Sequence, residues 1–192
     1  LYAVKVNGLE LKGWLEHAAG RFNTIDPARL EQQELVNPVF ASYNFDMLTS
    51  SDVRYEIDVT RAPGSRIRNL SHLGKAIGAS DAFLVATNNY RASGGGGFPG
   101  LDGSKTVISS PDNNRDVLIA YIKEAKDLKR ATHGAGRSWS FTKVKTAGPV
   151  VFHSAPGMIG LAREAGLDNV SQLRADDGLG KGFALYALDL SR

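Results

Sequence analysis

Four histidines, His17, His72, His133 and His153, are the side chains of this sequence best suited to acid–base or metal chemistry. They form no H-x-H or H-x-x-x-H pair and no cluster with carboxylates along the chain. Scattered in this way, each reads as a surface or packed histidine rather than a ligand. Asp176-Asp177, set between Ala175 and Gly178, is the one adjacent pair of acids, and that setting predicts a turn. The sequence has no cysteine, which removes thiolate catalysis, disulfides and Cys-based zinc sites. No Ser/His/Asp triad is assignable, because triads are defined by geometry and not by order in the chain. Gly95-Gly96-Gly97-Phe98-Pro99-Gly100 satisfies G-x-G-x-x-G. A dinucleotide loop must also open a helix that holds the pyrophosphate. Here Pro99, Gly100 and Gly103 lead instead into the strand-like Thr106-Val107-Ile108. These residues do not make a self-sufficient active site.

Two loops do concentrate rings and polar groups. One is Ser42-Tyr43-Asn44-Phe45-Asp46; the other is Asn88-Asn89-Tyr90-Arg91, next to the glycines 94–97. An aromatic ring, amides and small residues at the end of a strand suit a planar, polar ligand. Aromatic faces stack on nucleobases with about 1–3 kcal/mol per base. The plainer reading, half-buried edge tyrosines and turn-forming asparagines, fits the same residues.

The elements that must position these loops are partly legible. Residues 1–6 read as a strand and Asn7-Gly8 as a turn. Leu11, Trp14, Leu15, Ala18 and Phe22 recur at helical spacing, with Gly20 as a candidate C-cap. The segment 23–41 reads as a long excursion with a short helix around 28–35. Val53, Tyr55, Ile57 and Val59 alternate with polar residues, predicting a half-buried strand over 52–60. A turn at 62–65 and a hairpin strand over 67–73 follow. The apolar run 82–87 predicts a central strand. Ser110-Pro111 predicts the start of a helix whose core face is Val117, Leu118, Tyr121, Ile122, Ala125 and Leu128. Residues 131–138 form a small-residue connector. A strand near 150–153, a helix over 157–165 ending at Gly166 and a strand over 182–190 complete the chain. Several neighbouring strands read as hairpins, so the expected class is α+β, a mixed β-sheet packed with helices.

The chain has 192 residues, 42% hydrophobic, with 23 basic against 20 acidic side chains. That fits one globular domain and excludes intrinsic disorder. No apolar run reaches the ~18–20 residues of a membrane span. A net charge of +3 without a Lys/Arg cluster argues against a nucleic-acid polymer as partner. A chain that opens on Leu1, inside a predicted strand, is expected to be part of something longer.

The same residues carry a family likeness. The stretches 1–25 (LYAVKVNGLELKGWLEHAAGRFNTI), 42–46 (SYNFD), 55–67 (YEIDVTRAPGSRI), 83–95 (FLVATNNYRASGG), 110–122 (SPDNNRDVLIAYI) and 182–191 (GFALYALDLS) resemble, in order, the C-terminal domain of the 5′-nucleotidase family. SYNFD and ATNNYRA are most similar to its 2′,3′-cyclic-nucleotide 2′-phosphodiesterase/3′-nucleotidase subgroup. The resemblance implies a two-domain, periplasmic hydrolase. An N-terminal metallophosphatase domain, with two divalent metal ions, performs the chemistry. The C-terminal domain stacks the base of a nucleotide between two aromatic rings.

Carried onto this sequence, one ring is Tyr90, while the other falls upstream of Leu1. The resemblance and the loop composition together make Tyr43, Asn44, Asp46, Asn89, Gly94 and Gly95 the other candidate substrate-binding residues. Gly96 stands where relatives that favour 5′-nucleotides carry a ribose-binding Asp. The metal signatures D-x-H and G-N-H-E do not occur, so no catalytic residue, metal or cofactor is assigned to this chain, which alone is expected to hydrolyse nothing. The alternatives are a non-catalytic nucleoside-binding module and a 5′-nucleotidase/UDP-sugar hydrolase relative.

Overall fold

The computed structural model of the chain describes residues 1–50, 52–134 and 136–192, with Arg130 and Ala131 described by their backbone alone. In chain order the first elements are β1 (Tyr2–Asn7), α1 (Gly8–Ala18), β2 (Gln33–Glu34), β3 (Val53–Ile57), β4 (Ile67–His72), β5 (Lys75–Ala76), β6 (Ala82–Thr87) and α2 (Asn89–Ala92). There follow β7 (Thr106–Ser109), α3 (Asn114–Ala125), α4 (Arg130–His133), β8 (Trp139–Phe141), β9 (Val150–Ser154), α5 (Ile159–Glu164), β10 (Val170–Arg174) and β11 (Ala184–Leu188). The class is α+β, as the sequence predicts. Two compact units share the chain. The first is Leu1–Ala18, Asp46–Tyr55 and Asn69–Trp139; the second is Ala19–Phe45, Glu56–Arg68 and Ser140–Arg192.

In the first unit a three-stranded sheet has the order β6-β1-β7, antiparallel throughout. β1 is thus the central strand and β6 an edge, the reverse of the expectation drawn from its apolar run. The pleat explains it: Phe83 and Val85 pack on the core while Leu84 is 65% exposed. Val4, Val6, Leu11, Trp14, Ala92, Phe98 and Leu101 form that core.

Asn7-Gly8 is not a turn between elements, because β1 runs straight into α1. The Asn7 side chain accepts from the Glu10 backbone N–H, and Glu10 accepts from that of Asn7, both at 2.9 Å. This reciprocal pair satisfies two donors that a helix start leaves open. The helix predicted from Ser110-Pro111 is α3, which begins later, at Asn114, with Asn113 as N-cap. Residues 110–112 instead lie against the start of β1, the Ser110 N–H donating to Leu1 O at 2.9 Å. The apolar face of α3 is exposed rather than core. Of the predicted connector 131–138, Ala135 lies outside the described residues, and its beginning belongs to α4.

In the second unit β10-β11-β9 are antiparallel and β2 joins β9 in parallel. The short helix expected around 28–35 is absent from these residues. Asp26 accepts from the Ala28 N–H in a tight turn, and the chain then extends to pair Gln33 with Val150. Gly20 is not a left-handed cap. It lies in a 3-10 turn, Ala19–Arg21, where a Cβ would meet the Phe40 ring at 3.1 Å. Apart from the two sheets already described, and not confined to the second unit, β5-β4-β3-β8 pair in that order, with Val53, Tyr55 and Ile57 buried as their alternation predicts. No helix among the described residues is long and apolar enough to cross a membrane.

Candidate functional site

β6 ends at Thr87, and Asn88 caps the single-turn helix α2, its side chain accepting from the Arg91 backbone N–H at 2.8 Å. That cap turns Asn89 and Tyr90 outward and Arg91 inward. Tyr90 is 53% exposed and Arg91 only 6%. The Gly95 N–H donates to the Tyr90 carbonyl at 2.7 Å, folding the glycine loop back beneath the ring. A Cβ on Gly95 would stand 2.5 Å from two Tyr90 ring carbons, and one on Gly94, at φ +96°, 2.6 Å from the Leu101 carbonyl oxygen. A side chain at either position would therefore run into the chain itself.

Three side chains grip the loop's carbonyl oxygens. Arg91 Nη1 donates to Gly95 O at 2.9 Å and Trp14 Nε1 to Pro99 O at 2.8 Å. His17 Nε2 lies 3.0 Å from Gly96 O. A carbonyl can only accept, so Nε2 carries the proton. The His17 ring also packs on Phe98, centroids 4.6 Å apart.

Arg91 is the hub of this arrangement. Its Nε donates to Asp46 Oδ2 at 2.5 Å and its Nη2 to Oδ1 at 3.2 Å, a two-pronged pair. The guanidinium carbon lies 4.6 Å from the Phe98 ring centroid and 5.3 Å from that of Tyr90. A cavity of about 140 Å³, lined by Trp14, Asp46, Thr87, Arg91 and Phe98 among others, opens beside it. At the base of α1, the Lys105 ammonium and then the Asn7 N–H hold the Glu10 carboxyl below the usual carboxylate range.

Of the residues picked from the sequence, the first unit brings together Asp46, Asn89, Tyr90, Gly94 and Gly95. Tyr43 and Asn44 belong to the second unit, in the 3-10 turn Ser42–Asn44. Sequence reasoning missed Arg91, Phe98, Trp14 and His17 as supporting groups. Arg91 stood inside the NNYRA motif, but nothing in the sequence pairs it with a carboxylate 45 residues away. His153 also departs from expectation. In the second unit its Nδ1 lies 2.9 Å from Asp177 and its Nε2 3.1 Å from Glu34. Strand pairing creates that carboxylate neighbourhood, and sequence spacing hides it.

The sequence profile described as "5′-nucleotidase, C-terminal domain" matches residues 1–103. The chain belongs to this family. It is 48% identical, over 73% of its length, to the trifunctional nucleotide phosphoesterase protein YfkN of Bacillus subtilis, of which it covers 10%. Over its full length it is 37% identical to the 2′,3′-cyclic-nucleotide 2′-phosphodiesterase/3′-nucleotidase of Salmonella typhimurium and 34% identical to that of Haemophilus influenzae. It spans 32% and 31% of those two proteins, about a third of each. The crystal structure of a Staphylococcus aureus protein designated a 5′-nucleotidase shares the fold, with a TM-score of 0.58 at 22% identity over 73% of this chain and 26% of that one.

The 5′-nucleotidase resemblance implies two divalent metal ions, held by an N-terminal domain and not by these residues. Among the described residues, no three His, Asp or Glu side chains converge so as to hold a metal ion. The Glu34–His153–Asp177 group does not do so either, because its two carboxylates face opposite nitrogens of the imidazole. What the described residues of this 5′-nucleotidase-type domain offer is a braced aromatic face.

Proposed function

We propose that this chain is the nucleotide-binding, substrate-specificity domain of a metal-dependent 2′,3′-cyclic-nucleotide 2′-phosphodiesterase/3′-nucleotidase. The observation that carries the reading is the exposed Tyr90 ring, seated on Gly95 and braced from behind by Arg91. A ring already fixed in place loses little further freedom when a base stacks on it, so more of the stacking energy becomes affinity. Relatives matching the full length of the chain carry the phosphodiesterase/nucleotidase name, which supports the reaction class. Asn89 and the backbone at Gly94–Gly95 flank the ring as candidate contacts. Tyr43 and Asn44 remain candidates from the SYNFD resemblance.

In this reading the hydroxide and the phosphate clamp belong to a metallophosphatase domain on the same polypeptide, in the periplasm or another extracytoplasmic space. The chain's own contribution is to select and hold the nucleoside. Incubated alone with Mn²⁺ or Mg²⁺, it is expected to leave adenosine 2′,3′-cyclic phosphate intact, while the polypeptide that includes the metallophosphatase domain hydrolyses it. Hydrolysis by this chain alone, abolished by a chelator, would overturn the assignment.

A further inference from the structure

Arg91 is buried and charged, and it sits on a helix of only four residues. A single turn has no stability of its own, so its geometry is imposed by what its side chains hold. Three donors of the Arg91 guanidinium are used on two separate pieces of chain. Two go to the Asp46 carboxylate and one to the Gly95 carbonyl. Gly95 is the residue on which the Tyr90 ring rests, and Tyr90 directly precedes Arg91. The linkage therefore runs from Asp46 through Arg91 and Gly95 to the ring face.

We propose that the Arg91–Asp46 pair is a latch that fixes the orientation of Tyr90. Arg91 is then a positioning residue for base stacking, and Asp46 is its anchor rather than a contact of the ligand. The proposal rests on the reading of Tyr90 as the stacking ring. Both Asp46 oxygens are engaged by the guanidinium, so its charge already has a partner within the protein. A lysine could not replace Arg91, since a point charge cannot hold a carboxylate in two-pronged register and reach Gly95 O at once.

The test is a set of steady-state measurements on the whole nucleotidase, with adenosine 2′,3′-cyclic phosphate as substrate. The variants are Tyr90→Ala, Arg91→Ala, Asp46→Ala and Asp46→Ala combined with Tyr90→Ala. Asp46 is half exposed, so its truncation keeps the latch testable if Arg91→Ala does not fold. The expected result is a rise in KM of about 5-fold or more for each single variant, with kcat within about 2-fold. In the Tyr90→Ala background, Asp46→Ala should add less than about 2-fold, because the latch acts only through the ring.

Full additivity in that background would mean that Asp46 touches the ligand, and it would overturn the latch. So would an unchanged KM for Asp46→Ala beside a raised KM for Tyr90→Ala, which leaves the stacking reading standing. A loss of kcat at constant KM in Asp46→Ala also contradicts it. An unchanged KM for Tyr90→Ala removes the stacking reading and the latch together.

Discussion

The Tyr90 ring lies so close over Gly95 that a single methyl group there would stand 2.5 Å from two of its carbons. Gly95 is required for this contact rather than for its backbone angles, since its φ is not positive. Gly95→Ala should therefore push the ring off its seat. The expected outcome is weaker nucleotide affinity in the whole enzyme and a stability loss of about 1–3 kcal/mol, the usual range for an overpacked site. Urea unfolding and KM check the two effects separately. An unchanged KM at reduced stability would show that the seat does not matter for binding.

Arg66 is buried in the second unit, where it donates to the carbonyls of Ala19, Phe22 and Arg61 and to the Thr24 hydroxyl, all within 2.9 Å. Arg66→Met keeps much of the volume but removes all four bonds; the Ala19 carbonyl keeps the Phe22 N–H, while the Phe22 and Arg61 carbonyls lose this donor. An acceptor buried without a partner costs about 1–3 kcal/mol. Unfolding free energy should fall by about 3 kcal/mol or more, measured by urea denaturation of the chain. A change below about 1 kcal/mol would contradict the assigned role.

Burial pushes the Tyr55 hydroxyl up to about 12, against an ordinary value near 10, with the Leu48 backbone contact offsetting a little of it. The unfolded chain ionises this group first, so the stability Tyr55 contributes is intact below pH 10. It is lost as pH rises from 10 towards 12. The full effect is on the order of 2–3 kcal/mol. Unfolding free energies of the parent and of Tyr55→Phe between pH 9 and pH 11.5 test it. The parent should lose stability relative to the variant across that range, and parallel curves would contradict the prediction.

The strands with clean period-two alternation, such as 53–57, and the apolar stripe Leu11–Trp14–Leu15–Ala18 were legible because burial on one face writes itself into residue order. β2 and β8 are too short to carry a pattern, and the order β6-β1-β7 depends on pairings between residues far apart in the chain. The face of α3 shows the opposite failure, a helical periodicity whose apolar side chains stay largely exposed. At the site, Tyr90 and the glycines were readable from the motif. The bracing by Arg91, Asp46, Trp14 and His17 was not, since side-chain contacts across 45 to 85 residues leave no local mark.

The central claim is that Tyr90 is the stacking face for the base. The most direct measurement is the steady-state KM of the whole nucleotidase for adenosine 2′,3′-cyclic phosphate, with Tyr90, Tyr90→Phe and Tyr90→Ala compared. Loss of about 1–3 kcal/mol of stacking predicts a KM raised about 5- to 150-fold in Tyr90→Ala, with Tyr90→Phe close to the parent. Equal KM values for all three proteins would contradict it.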